Sequence, residues 1–314
     1  MTQTTGQQRF LGASGLEVSA LGVGTNKWGA RQAKYDSQIF QAFQAALDGG
    51  LTLFDTAEVY NRGESERLLG ECISRDKRPV VLASKFAPLV SRLSPHALMD
   101  ALDASLSRLG VDTIDLYHIH WPYSFLRIDA LMDMMALAVR IGKVRAVGVS
   151  NYNAAQMRQA ATRLARYGIP LASNEVHYSL LHRQPETNGV LATCRELNVA
   201  LIAYQPLESG LLKNQEPVST PAASGRLERL PRPGKARQEH LTALQETLSE
   251  IARGRGKTVS QVALNWLLCR DEHIIPIPGS TNARHAAENA ETLNWRLTDE
   301  EFAAIDQASQ FWKK

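Results

Sequence analysis

Val80–Pro122 reads VVLASKFAPLVSRLSPHALMDALDASLSRLGVDTIDLYHIHWP, and the order of its three parts decides the fold. A β-branched, apolar run opens the stretch at Val80 and ends on Lys85. Ser94 then offers a helix cap with Pro95 in the first turn, Leu98, Leu102, Leu106 and Leu109 recur on one helical face, and Gly110 supplies the stop. A second strand pattern follows from Thr113 to Ile119. Strand, helix and strand at this spacing close as a right-handed crossover, which returns the chain parallel to its predecessor.

The same unit recurs in both directions. Strand-like runs begin near Ala20, Thr52, Val80, Thr113, Ala146, Leu171, Ala200 and Ile274, with six intervals of 25 to 33 residues and a last one of 74. The helices between them have legible ends. One starts with Asp36 as N-cap, buries Ile39, Phe40, Phe43 and Leu47, and stops at Gly49 and Gly50; another runs from Asn153 to Arg166. Eight such units predict an α/β protein, a (β/α)8 TIM barrel forming one domain over residues 1–314. Arg9–Ser19, with Gly12 and Gly15 between short apolar stretches, reads as an N-terminal hairpin closing the barrel floor. The long interval holds a Pro/Gly-rich loop, Gln205–Gln238, and extra helices near Glu239–Ala252 and Thr258–Leu268 before the last strand. The loop's Arg226, Arg229, Arg232, Lys235 and Arg237 read as a solvated run, with phosphate contact as the alternative.

Composition removes several functions. At 314 residues and 44% apolar, the chain buries a large core and is not disordered. Lys and Arg total 35 against 32 Asp and Glu, a formal charge of +3, too even for a nucleic-acid partner. No run approaches the ~18 apolar residues of a membrane span. Met1–Phe10 lacks the apolar stretch of a secretory signal, so the cytoplasm is the expected compartment. Cys72, Cys194 and Cys269 are far apart without metal-ligand spacing and read as reduced thiols.

In such a barrel the working face is built at the carboxyl ends of the strands. Those ends are Asp55, Lys85, His120, Ser150 with Asn151, Asn174 with Glu175, Tyr204, and Gly279 with Ser280. Strands often exit through polar residues for structural reasons alone. A lysine and an aspartate on neighbouring strands are different, because charges facing the mouth must pair or shift. Asp55 and Lys85 are expected to pair, and Tyr60 to return its hydroxyl over them. The ammonium would lower the phenol from its usual ~10, making Tyr60 a candidate proton donor. His118 and His120 share a strand face; His120 reaches the mouth, and His118 reads as a hydrogen-bonded core histidine.

Seven segments resemble the aldo-keto reductase superfamily: LGVGTNKWG (21–29), FDTAEVY (54–60), ASKF (83–86), DLYHIHWP (115–122), GVSNY (148–152), LIAYQPL (201–207) and IPIPGS (275–280). The resemblance implies a (β/α)8 barrel that binds a nicotinamide cofactor without a Rossmann fold, with Asp55, Tyr60, Lys85 and His120 as catalytic tetrad. It places Ser150, Asn151 and Glu175 at the nicotinamide carboxamide and Tyr204 against the ring. Gly24, Thr25, Gln205, Leu207, Gly279, Ser280, Arg284 and Asn289 complete the implied cofactor set. NADP(H) is expected ahead of NAD(H), and a small carbonyl or alcohol as substrate. Trp28, Trp121 and Tyr123, with Trp312 as a further candidate, are the aromatic residues expected at that substrate. The expected assembly is a monomer or small homo-oligomer, without metal.

Three positions depart from the family pattern. Glu175 stands where glutamine is common, adding negative charge that favours the oxidised ring. Thr281 replaces the Lys or Arg of many NADPH-preferring relatives, leaving Arg284 for the 2′-phosphate. Gln205 replaces a serine. Two other readings stay open: a cofactor-binding regulatory subunit of the potassium-channel β-subunit type, and a metal-dependent barrel hydrolase using His118 and His120.

Overall fold

The computed structural model describes residues 8–30, 36–122, 125–213 and 235–313, so Tyr123, Arg226, Arg229 and Arg232 lie outside the described residues. Strands β1 (Gln8–Phe10) and β2 (Glu17–Ser19) form the expected hairpin, with Arg9 opposite Val18. Then come β3 (Val23–Gly24), β4 (Leu53–Asp55), β5 (Val81–Phe86), β6 (Ile114–Ile119), β7 (Val144–Ser150), β8 (Leu171–His177), β9 (Ala200–Tyr204) and β10 (Ile274–Pro276). These eight pair in parallel and in chain order. The Gly22 and Gly24 amides donate to the Pro276 and Pro278 carbonyls at 2.9 and 3.1 Å, joining first strand to last, so the sheet closes.

Helices α1 (Asp36–Asp48), α2 (Glu64–Asp76), α3 (Ala97–Leu109), α4 (Ile128–Arg140), α5 (Ala154–Ala165) and α6 (Val190–Leu197) fill the crossovers through β9. Asn153 caps α5 in a reciprocal box with Gln156, and the Gly110 amide ends α3 on the Leu106 carbonyl. Two helix starts differ from the sequence reading. The expected first turn of α3 is a separate turn: Ser94 and Pro95 carbonyls accept from the amides three residues on, and helix begins at Ala97. The first extra helix, α7, spans Lys235–Arg255, a turn longer at its start than expected. That turn is held from afar, with Arg237 over the Trp312 ring and His240 stacked on Phe311. Helices α8 (Val259–Arg270), α9 (Ala283–Glu291) and α10 (Asp299–Ala308) complete the ring, and Thr258 caps α8.

Two cores follow from strand alternation. Outward-facing Phe54, Leu82, Tyr117, Val147 and Val149 pack under the helices. Inward-facing Leu53, Ala83, Leu116, Ala146, Ala200 and Ile275 meet Leu11, Leu16 and Val18 of the hairpin, which plugs the bottom. Higher up, His118 Nε2 lies 2.8 Å from Ser173 Oγ, the core role expected of it. Gly148 makes room for that ring, since a Cβ there would sit 2.3 Å from His118 Cδ2. Among the described residues no helix is long and apolar enough to cross a membrane. Cys72 and Cys194 are buried and Cys269 partly buried, and none of the three is in a disulfide.

Candidate active site

Asp55 ends β4 and Lys85 lies next to the end of β5, with both side chains inside the barrel. Lys85 is 0% exposed, and its ammonium donates to Asp55 Oδ1 and Oδ2 at 2.7 and 2.5 Å and to the Thr56 carbonyl at 3.0 Å. The expected ion pair is therefore present. Its third member was not expected: Glu175 Oε2 lies 3.2 Å from the same nitrogen, so two carboxyls flank one ammonium.

Tyr60 arrives by a costly backbone. Asn61, Arg62 and Gly63, which follow it, hold φ of 50°, 60° and 88°, left-handed values that only Gly63 adopts without strain. Asn61 Nδ2 fixes the loop by donating to the Trp28 carbonyl at 2.6 Å. The result sets Tyr60 Oη 3.5 Å from Lys85 Nζ and the Tyr60 ring edge-on to His120.

The Tyr60 titration runs opposite to expectation. Burial, joined by Asp55 and Glu175, raises the phenol above its ordinary value, and the pull of Lys85 only partly offsets it. The sequence reading paired the lysine with Asp55 but left out the burial that outweighs it, and Glu175. Tyr60 is consequently a neutral phenol with a proton to give. Burial and then Lys85 push His120 down to about 3, so its imidazole is neutral and has one N–H to donate. Burial pulls the Lys85 ammonium down, but Asp55 and Glu175 outweigh it and hold it above the usual lysine value. Glu175 is raised to about 8 by burial and by Asp55, against Lys85. Asp55 accepts both short hydrogen bonds from the ammonium, so it keeps the negative charge while Glu175 takes the proton first.

The tetrad opens on a cavity of about 500 Å³ that Asp55, Tyr60 and His120 line. Gly24, Thr25, Ser150, Asn151, Glu175, Tyr204, Gln205, Leu207 and Gly279 line it too, as does Trp121, whose ring stacks on His120 at 3.7 Å. Asn151 Nδ2 donates to the His120 carbonyl at 3.1 Å and accepts from Tyr204 Oη at 3.0 Å through Oδ1, linking three strand ends. Tyr204 is backed by His177, stacked at 5.4 Å, and His177 by His182 at 4.0 Å.

Other expected residues lie elsewhere. Trp28 is fully buried and donates Nε1–H to the Ser280 carbonyl at 2.7 Å, a packing role away from the cavity. Trp312 packs at the C-terminal turn against Phe311. Ser280 and Asn289 are buried outside the lining, and Arg284 is exposed and pairs with Glu288 at 2.8 Å. In their place Thr281 and His285 face the cavity, joined by Lys27 and Lys213, which the sequence reading missed. Lys27 sits inside LGVGTNKWG, so position alone offered a signal. Lys213 lies in an irregular loop with no periodicity to mark it. Burial lowers Lys213, Lys27 and Arg284 lower it further, and Glu288 only partly offsets them, the mark of a local excess of cations.

Asp55, His118 and Glu175 place ligand-type atoms within 4.8 Å of one another, a spacing that suits a metal ion. Lys85 already supplies the cation there, bonded to one carboxyl and 3.2 Å from the other. A dication would have to share that place with an ammonium. His118, driven well below its usual value by burial, is engaged with Ser173.

A closed parallel barrel whose mouth gathers a neutral phenol, a paired lysine and a neutral imidazole at a cavity of about 500 Å³ defines a carbonyl oxidoreductase that works with a nicotinamide dinucleotide. The sequence profile of the Aldo/keto reductase family matches residues 20–310, and the chain belongs to that family. It is 38% identical to the chloroplastic pyridoxal reductase of Arabidopsis thaliana, over 94% of this chain and 84% of that protein. An aldo/keto reductase from Klebsiella pneumoniae, solved with NADP and acetate, is similar at TM-score 0.78 and 30% identity, over 98% of this chain and 96% of that one. A glycerol dehydrogenase from Gluconobacter oxydans is similar at TM-score 0.86 and 26% identity, over 99% and 98%.

Proposed function

We propose that the protein reduces aldehydes with NADPH, with Tyr60 as proton donor and an aromatic aldehyde such as pyridoxal as the first substrate to test. The residues at the mouth suit the cofactor: Glu175 Oε2 is a buried oxygen paired with the Lys85 ammonium at 3.2 Å but without an aligned hydrogen bond, and with Ser150, Asn151 and Tyr204 on the same cavity wall it suits a carboxamide-bearing ring. Lys27, Lys213 and His285, with Arg284 at the rim, suit the phosphates and carry the expectation of NADP(H) ahead of NAD(H). The bound nicotinamide would supply the hydride.

The chain's own residues do the rest. His120 donates its N–H to the carbonyl oxygen and fixes its direction. Tyr60 passes its proton to that oxygen as negative charge develops, and Lys85, held by Asp55, stabilises the phenolate left behind. Trp121, flat against His120, offers an aromatic face to a substrate ring. The observation that carries this reading is the neutral Tyr60 phenol 3.5 Å from the buried Lys85 ammonium, at the edge of the cavity.

A panel of aldehydes, ketones and alcohols, pyridoxal included, is followed at the nicotinamide absorbance with both cofactors. Aldehyde-dependent loss of NADPH absorbance is expected, faster than with NADH. NADPH that binds without any carbonyl oxidising it would point instead to a regulatory subunit.

A further inference from the structure

The Asp55–Lys85 pair has a third member that the proton transfer above does not use. Glu175, two residues before the end of β8, is 2% exposed and lines the cavity, and its Oε2 faces the Lys85 ammonium at 3.2 Å as an ion pair without an aligned hydrogen bond. Its neighbours' donors are engaged elsewhere: Lys85 with Asp55 and Thr56, Ser150 Oγ with the Glu175 carbonyl, and Asn151 Nδ2 with Ser150 Oγ and the His120 carbonyl. With the ammonium's hydrogen bonds spent on Asp55 and Thr56, Glu175 Oε2 has room to accept one from a ligand or to carry a proton itself.

The charged and titratable groups facing Glu175 are Asp55 from β4, Tyr60 from the loop after it, Lys85 from β5, His118 from β6 and Tyr204 from β9. The β7 side offers Ser150, which does not titrate. His118 is neutral, and Tyr60, Tyr204 and Lys85 are all raised above their ordinary values. Lys85 and Asp55 cancel, so the Glu175 carboxyl alone decides whether the cluster is neutral or carries one negative charge.

We propose that Glu175 is a specificity-determining residue for the oxidation state of the bound cofactor. As a neutral acid it accepts oxidised and reduced nicotinamide alike, and as a carboxylate it holds the positively charged oxidised ring more tightly. This rests on the cofactor placement beside Ser150, Asn151 and Tyr204 given under the proposed function. Because burial and Asp55 push Glu175 up to about 8, the change of state falls between mildly acid and mildly alkaline buffers. Binding of NADP+ near neutral pH then releases the Glu175 proton to solvent.

The test is the dissociation constants of NADPH and NADP+, read by quenching of tryptophan fluorescence at about pH 6.5 and about pH 9.5 for the wild type and Glu175→Gln. The ratio of the two constants cancels everything the nucleotides share, phosphates included. The wild-type ratio of NADP+ to NADPH constants is expected to fall about tenfold from acid to alkaline pH, and the Gln ratio to stay level. A level wild-type ratio, or an equal fall in Glu175→Gln, overturns the proposal. Failure of both nucleotides to bind the wild type at either pH instead sinks the cofactor placement, and this proposal with it. Thermal unfolding without nucleotide gives a second readout. A carboxyl raised in the folded state loses its stabilising contribution as pH rises through its folded value, so the wild-type melting temperature falls over this range and the Gln variant's falls less. Should the Gln variant not fold, the wild-type ratio decides alone.

Discussion

Two levels of the same barrel, a few residues apart on the same strands, are built on opposite principles. On β4 the inward face runs from Leu53 to Asp55, on β5 from Ala83 to Lys85, on β7 from Ala146 through Gly148 to Ser150, and on β9 from Ala200 through Ile202 to Tyr204. Burial does not separate the levels, since Leu53 and Lys85 are both 0% exposed. What differs is what burial does. At the floor it removes apolar surface from water and stabilises directly. At the mouth it strips water from charges and is offset only by pairing, which leaves a phenol, an imidazole and a carboxyl with shifted proton affinities. The floor holds the barrel shut so that the mouth can keep groups that no stable core would choose.

Lys85→Met should produce the largest effect, because it breaks the pairing and the chemistry together. Turnover is expected to fall by about 10²–10⁴, and chemical denaturation to show a loss of about 3–5 kcal/mol from two carboxyls left without their cation. Retained stability would mean that Asp55 and Glu175 are solvated rather than buried. Leu116→Ala, one level down, should separate the two properties: about 2–5 kcal/mol of stability lost, with kcat unchanged. A drop in kcat to match would show that the floor also positions the tetrad. The smallest contrast lies at the far end of the cavity. Lys213→Ala is expected to raise the NADPH KM about tenfold, the loss of one charged hydrogen bond. Arg284→Ala, already paired with Glu288 at the surface, should change it little. The reverse ranking would return the 2′-phosphate to Arg284.

The floor was legible in the sequence because alternation and β/α spacing are local signals, and the hairpin and the strand order follow them. Two strands start two or three residues away from their apolar runs, β7 at Val144 and β3 at Val23; β3 is the clearer, because the chain first turns after Ser19, whose hydroxyl accepts from the Thr52 amide at 2.8 Å. The α7 start depended on Trp312 and Phe311, contacts that no window of local sequence contains. At the mouth, the tetrad could be named from strand ends, but its electrostatics could not. The direction of the Tyr60 shift is set first by burial inside the barrel, with Asp55 and Glu175, the latter 115 positions further along the chain, adding to it against the pull of Lys85. Lys213, in an irregular loop, had no pattern to announce it.

The central claim is that Tyr60 delivers the proton while contributing little to holding the cofactor, and Tyr60→Phe measures it most directly. Single-turnover reduction of an aldehyde turned over by the wild type should slow by about 10² or more, with NADPH binding as tightly as before. Near-wild-type rates in the phenylalanine variant would contradict the account, since the proton would then come from another group.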